Sequence, residues 1–140
     1  MAAAGTAVRQ RIADIFRKSK SLPMRPRPDC FVTINCSLNN THVCFATPGG
    51  RVITKSSAGA VGFRGPERSS AEGALAAAQA AAARAREKGF SVVEVRLRGA
   101  TSGQSSAIGS IAAAGFRIAS FEDLTGFPTN GCRPRKTRRL

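Results

Sequence analysis

Between residues 30 and 55 the apolar and polar positions follow a strand rhythm. Phe31-Val32-Thr33-Ile34-Asn35-Cys36 is β-branched and aromatic-rich and predicts a strand. Ser37-Leu38-Asn39-Asn40-Thr41 interrupts it as a turn, and His42 to Thr47 returns as a second strand. Pro48-Gly49-Gly50 turns again, and Arg51 to Lys55 reads as a third strand. Connections this short predict an antiparallel meander.

A glycine-rich loop from Ala58 to Pro66 follows, and the period then changes. Ser69-Ser70-Ala71-Glu72 has the spacing of a capping box, with Ser69 as the cap and Glu72 reaching back. It opens a helix that runs through an alanine tract to Lys88 and stops at Gly89. Leu75 is its only large apolar side chain, so an alanine face lets it lie close against a sheet. Arg84, Arg86 and Lys88 suit the negative end of its dipole. Val92 to Arg98 alternates after its first residue: Val93, Val95 and Leu97 face one way, Glu94, Arg96 and Arg98 the other. A polar loop from Gly99 to Gln104, a second helix over about Ser105 to Ala114 and a last strand from Phe116 to Asp123 complete the pattern. The alternation of that strand fails near Phe121. Both helices end in Gly-Phe before a strand, the rhythm of crossovers returning to a parallel sheet edge. The prediction is a single α/β domain, βββαβαβ, with a mixed five-stranded sheet and helices packed on it.

Charge changes the picture more than hydropathy does. The 140 residues suit one domain, and 42% hydrophobic content suffices for a core. The net charge is +14, from 22 Lys and Arg against 8 Asp and Glu. Such an excess repels itself unless a polyanion screens it. The last eight residues, Arg133 to Leu140, carry five cations and no anion, and nucleic acid is the commonest partner for such a run. The turn-forming stretch Phe127 to Cys132 aims that tail away from the body. At the other terminus Val8, Ile12, Ile15 and Phe16 fall on one helical face, with Arg9, Arg11, Arg17 and Lys18 largely off it. This is a mitochondrial targeting helix, a retained RNA-binding arm or a docked surface helix; we expect a retained arm. Pro23, Pro26 and Pro28 make a stiff linker after it. The chain therefore divides into a basic arm and linker (1–28), an α/β body (29–126) and a basic RNA-binding tail (127–140). No apolar run is long enough to span a bilayer, so a membrane role would have to be peripheral, through the Val8–Phe16 face; it is the weaker reading, and no membrane partner is expected.

Catalytic chemistry finds little support. His42, the only histidine, opens a strand and suits pairing better than catalysis. Glu122 and Asp123 are adjacent and point to opposite faces of a strand, which is wrong for shared acid/base work. The competing reading is a small metal-dependent nuclease or nucleotide-binding enzyme on a related fold. It requires one or more of Glu94, Glu122 and Asp123 to hold Mg²⁺. Cys30, Cys36, Cys44 and Cys132 form no C-x-x-C pair and read as reduced thiols, although Cys36 and Cys44 could face each other across the hairpin. Neither metal nor cofactor is expected. Gly59 to Gly65 lacks a Gly-Lys-Ser/Thr ending and is no P-loop. Phe63 and Arg64 within it suit stacking and phosphate contact, the alternative being Phe63 in the core.

Ser37-Leu38-Asn39-Asn40-Thr41, Gly62-Phe63-Arg64-Gly65, Ala113 to Ile118, Asp123-Leu124-Thr125 and Asn130-Gly131-Cys132-Arg133-Pro134 follow one another in order. Over about Asp29 to Leu140 the chain resembles the bacterial-type family of small-subunit ribosomal protein S-eleven. The resemblance implies an α/β fold, no enzymatic activity and a place on the small-subunit platform near the messenger RNA exit path. It implies small-subunit ribosomal RNA as partner and the S-seven, S-eighteen and S-twenty-one proteins as neighbours. By the same resemblance Asn39, Asn40 and Thr41 contact RNA from the hairpin tip, and Phe63 and Arg64 from the glycine loop. In the tail the contacts are Asn130, Gly131, Cys132, Arg133, Arg135, Lys136, Arg138 and Arg139. Lys55, a cation at the end of the third strand, joins these candidates. Two departures stand out. Gly99 to Gln104 lacks the proline and arginine usual in the family's Gly-Pro-Gly loop, and Glu67 sits where the family tends to be basic. With the basic arm, these point to an organellar ribosome, mitochondrial first and plastid second, rather than the bacterial cytoplasm.

Overall fold

The computed structural model describes residues 27–133 and 135–136. The N-terminal helix predicted over Val8 to Phe16 lies outside the described residues. Five strands form one sheet: β1 (Cys30–Cys36), β2 (Thr41–Ala46), β3 (Val52–Ser57), β4 (Val92–Arg98) and β5 (Arg117–Asp123). Three helices interrupt them: α1 (Ala58–Val61), α2 (Ala71–Glu87) and α3 (Gly103–Ala113). The sheet order is β3-β2-β1-β4-β5. The first three strands pair antiparallel, and β4 and β5 add in parallel beside β1, as the two Gly-Phe returns predict. The mixed five-stranded α/β fold expected from the sequence is the fold observed.

Alternation decides which face is dry. Cys30, Val32, Ile34 and Cys36 of β1, Val43 and Phe45 of β2, and Val93, Val95 and Leu97 of β4 are buried together. α2 covers them with Ala74, Ala77, Ala78, Ala81, Ala82 and Ala85, a one-face spacing of small side chains. Phe45 packs on Phe116 with ring centroids 5.4 Å apart. The second helix begins two residues before its predicted start. Gly103 lies against α2, where a Cβ would stand 2.7 Å from the Ala74 Cβ. Among the described residues the other sheet face carries no helix. There the Arg96 guanidinium stacks 3.8 Å from the Phe31 ring centroid.

Several local expectations shift. The cap of α2 is Ser70, not Ser69: its Oγ accepts from Gly73 N–H at 3.0 Å, while Ser69 Oγ donates to the Pro66 carbonyl. Gly73 then occupies the third helical position, so Glu72 cannot complete a capping box. Leu75 points outward. The supposed glycine loop is ordered into α1, capped by Ser57, and a 3-10 turn over Gly65–Ser69. The failed alternation near Phe121 is a register shift: Val93 pairs Ile118 and Glu94 pairs Ser120, leaving Ala119 extra. Cys36 stands opposite Thr41 and Cys44 opposite Thr33, so the two thiols lie on opposite faces and cannot bond. All four cysteines are free. Burial, with the Asp29 charge adding to it, pushes the Cys30 thiol up to about 11, so it is a protonated core residue at neutral pH.

Candidate nucleic-acid interface

The parallel and antiparallel registers place β1, β3, β4 and β5 in one direction. Their C-terminal ends therefore share one end of the sheet. From that end leave the β1–β2 hairpin tip, the α1 and 3-10 segment, the loop after Arg98, and the tail. Segments about ninety residues apart in the chain thus meet through topology alone.

The hairpin tip is held by its own polar groups. Ser37 N–H and Oγ–H both donate to the Asn40 carbonyl at 2.9 Å, and Asn40 N–H returns to Ser37 Oγ at 3.0 Å. Asn40 Oδ1 accepts from Thr41 N–H, and its amide nitrogen lies 3.3 Å from His42 Nε2. Asn40 is thus committed to the turn, whereas Asn39 and Leu38 project outward. Thr41 is a correction: it is 1% exposed, in the interior beside Gly103, and its side chain has no surface to offer RNA.

Beside the tip, Asn39, Gly65, Pro66, Arg68 and Ser69 line an open cleft of about 390 Å³. Arg68 was not among the residues singled out from sequence. Its side chain runs along Gly59, where a Cβ would meet Arg68 Cδ at 3.2 Å and Asn40 Nδ2 at 3.8 Å. The only hint of it is a cation just before a helix cap. Arg64, fully outward, opens the 3-10 turn, and Phe63 is half-buried at its edge. Glu67 is exposed between Arg64 and Arg68, and its backbone carbonyl is used by Ser70. Lys55 faces outward on β3, two residues before the strand ends.

The loop after β4 has no arginine of its own, yet exposed Arg98 stands at its mouth and supplies a cation there. Gly99 follows with φ +84, and a Cβ on it would overlap the Cys36 carbonyl oxygen. This contact pins the loop against the end of β1. The root of the tail is fixed on the same spot: Leu124 N–H donates to the Leu97 carbonyl at 2.8 Å and Gly99 N–H to Thr125 Oγ1 at 3.1 Å. Asp123 closes the corner by accepting from Thr125 Oγ–H and N–H, which holds its carboxyl below the usual range. Beyond it Asn130, in the left-handed region at φ 49, Gly131, Cys132, Arg133, Arg135 and Lys136 are all exposed. Arg138 and Arg139 lie outside the described residues.

The acids suggested for Mg²⁺ do not converge. Glu94 and Glu122 share Arg96 Nε, at 3.0 and 3.3 Å, and Asp123 is turned to Thr125. An arginine between two carboxylates occupies the position a cation would need. Among the described residues no three His, Cys, Asp or Glu side chains cluster at metal-binding distance.

The frame is thus a small α/β body that gathers polar and cationic loops at one end of its sheet, the class of protein that works as a ribonucleoprotein component. The comparisons agree. The family described as ribosomal protein S11 matches residues 30–139. The chain is 44% identical over 107 residues to the small ribosomal subunit protein uS11 of Methylobacterium radiotolerans, covering 76% of this chain and 83% of that one. It is 42% identical over 123 residues to the uS11 of Protochlamydia amoebophila, covering 88% and 91%. The uS11 of Rhodopseudomonas palustris is 43% identical over 107 residues, covering 76% and 83%. The chain belongs to the ribosomal protein S11 family. It is a structural constituent of the small ribosomal subunit and not an enzyme.

Proposed function

We propose that this ribosomal protein binds and organises small-subunit ribosomal RNA of the platform, near the messenger RNA exit path, through the C-terminal end of its sheet. One observation carries the reading: every segment singled out for RNA contact, together with Arg68 and Arg98, leaves the fold at that end. Its mechanism divides the work. Asn39 and the backbone of the turn-held tip meet sugar and phosphate oxygens, and Phe63 offers a partly covered ring for stacking. Arg64, Arg68, Arg98 and the tail cations neutralise phosphates and release counterions. Lys55 adds a charge from the neighbouring strand face. Thr41 supports the tip from inside. In this reading the neighbours are the S-seven, S-eighteen and S-twenty-one proteins. The working place is a mitochondrial ribosome, with plastid and bacterial cytoplasm as alternatives. Support for the organelle comes from the basic amphipathic spacing of residues 8–18 and the changed loop at 99–104.

The test is binding of the full chain to platform ribosomal RNA across a salt series. Each lost phosphate contact should flatten the log–log salt slope by about one unit. A slope unchanged after alanine replacement of Arg64, Arg68 and the tail cations overturns the mechanism.

A further inference from the structure

Register orders the sheet face that has no helix among the described residues. Arg98 pairs with Asn35, Asn35 with His42 and His42 with Ser57, so a row of side chains crosses β4, β1, β2 and β3. Arg96, Thr33, Cys44 and Lys55 form the row behind it. The front row stands at the end of the sheet from which the RNA-facing loops leave, and at about 4.8 Å between strands it spans roughly 14 Å. His42, the only histidine of the chain, lies in this row and has no part in the loops or the tail.

Between β2 and β3 the face opens into a groove of about 420 Å³, lined by His42, Val43, Cys44, Lys55, Ser56, Ser57 and Ala60. Val43 and Ser56 turn their side chains to the helix layer, so the groove receives those of His42, Cys44, Lys55 and Ser57. Burial pushes the Cys44 thiol up, against the opposing Lys55 charge, and keeps it neutral. The other polar groups are donors. Asn40 Oδ1 accepts from Thr41 N–H at 2.9 Å, which turns the Asn40 amide nitrogen toward His42 Nε2, 3.3 Å away. Nε2 is therefore the acceptor, and the proton of the ring sits on Nδ1. Ser57 Oγ accepts from Ala60 N–H at 3.2 Å, which leaves its own O–H to give. Lys55 adds a cation, and no acid lines the groove.

Two neutral donors side by side, over a thiol and an alanine and next to a cation, fit a flat ring with two adjacent acceptors and a phosphate nearby. Guanine offers that pair in O6 and N7, whereas adenine sets its N6 amino group beside N7 and the pyrimidines present at most one acceptor on that edge. We propose, on the RNA-facing reading of this end of the sheet, that the groove binds an unpaired guanine of single-stranded ribosomal RNA by its O6/N7 edge. His42 Nδ1–H and Ser57 Oγ–H donate to that edge, and the base lies over Cys44 and Ala60. Lys55 beside the groove and Arg98 at the far end of the row neutralise flanking phosphates, and exposed Asn35 stands between them.

The experiment measures binding of the full chain to the oligoribonucleotides A-A-G-A-A and A-A-A-A-A, to A-A-G-A-A carrying 7-deazaguanine, and to platform ribosomal RNA across a salt series. A-A-G-A-A should bind about tenfold more tightly than A-A-A-A-A, and the 7-deazaguanine pentamer, which lacks the N7 acceptor, should lose most of that gain. His42→Phe keeps a ring at this exposed position and removes the donor, so it should level the pentamers with the melting temperature unchanged. Equal binding of the guanine and adenine pentamers by the parent chain overturns the inference, as does a preference that survives 7-deazaguanine or His42→Phe. If platform RNA is still bound with a steep salt slope in those cases, the RNA-facing reading stands and only the groove assignment falls. Failure to bind platform RNA at all removes that reading and the groove assignment with it.

Discussion

The two ends of the sheet are built from the same strands and close in opposite ways. At the end where β1 and β4 begin, the protein satisfies itself. Asp29 accepts from Val92 N–H at 2.9 Å and from Ser91 N–H and Oγ–H, locking the start of β1 to the start of β4. Arg86 reaches from α2 to the Ala114 carbonyl at 2.8 Å and lies over the Phe116 ring at 5.8 Å. At the far end, the tip and the root of the tail are pinned, yet Asn39, Arg64, Arg68 and Arg98 project outward. At the first end Arg86 and Lys88 are spent on carbonyls, while among the described residues Arg64, Arg68 and Arg98 at the second make no such bond. Position within the topology, not residue type, decides which arginine finds a carbonyl to bond.

The comparison can be broken most severely at Gly99. Gly99→Ala puts a Cβ into the Cys36 carbonyl at a positive φ and should cost on the order of 3 kcal/mol or more, read as a lowered urea midpoint. A near-neutral result would show that the binding end is not pinned to β1. Next comes the tail. Alanine at Arg133, Arg135, Lys136, Arg138 and Arg139 should weaken RNA binding by about a hundredfold and flatten the salt slope, with thermal stability unchanged. Arg86→Ala tests the closed end and should cost about 1–2 kcal/mol of stability with no change in salt slope. A drop in RNA affinity without a drop in stability would reverse the assignment of the two ends. Arg68→Ala should do the converse, lowering affinity about fivefold and the slope by about one unit while the melting temperature holds.

The smallest effect concerns Asp29. The Val92 amide, followed by the amide and hydroxyl of Ser91, holds its carboxyl below the ordinary 3.8, with slight burial opposing. A carboxylate depressed on folding stabilises fully above its unfolded pKa, and the contribution is lost as pH falls through the lower folded value. Acid titration of stability should therefore show a loss below pH 3.8 that Asp29→Asn reduces. The site is open to solvent, so the difference is small. An Asp29→Asn curve parallel to the parent at every pH would remove the lock from the closed end.

Legibility differed along the chain for physical reasons. Strands β1 and β4 were readable because each buries every second residue against one layer of helices, and that alternation is written in the sequence. The start of α3 was not, because Ser102 makes no side-chain cap and Gly103 is dictated by contact with Ala74 on another helix. α1 was hidden for a similar reason: four residues with two glycines nearby carry no periodicity, and the helix is ordered by Ser57 and its packing on α2. In the candidate interface, the tail announced itself by composition. Arg68 and Arg98 did not, since a single arginine beside a turn reads the same whether it meets solvent or RNA. Thr41 was misplaced outward because a turn residue and the first residue of a strand look alike until the register is fixed.

By itself the sequence determined the class of the fold, the order of strands and crossovers along the chain, the family and the basic character of the protein. These depend on local periodicity, turn chemistry and net charge, all of which are properties of neighbouring residues. Only the tertiary structure decided which loops share an end, that Thr41 is inside, that Arg86 bonds the Ala114 carbonyl while Arg68 lines an open cleft, and that the end of α2 seals the β3 edge. Those facts depend on register and on contacts between residues tens of positions apart, and no local pattern encodes a distance across the fold.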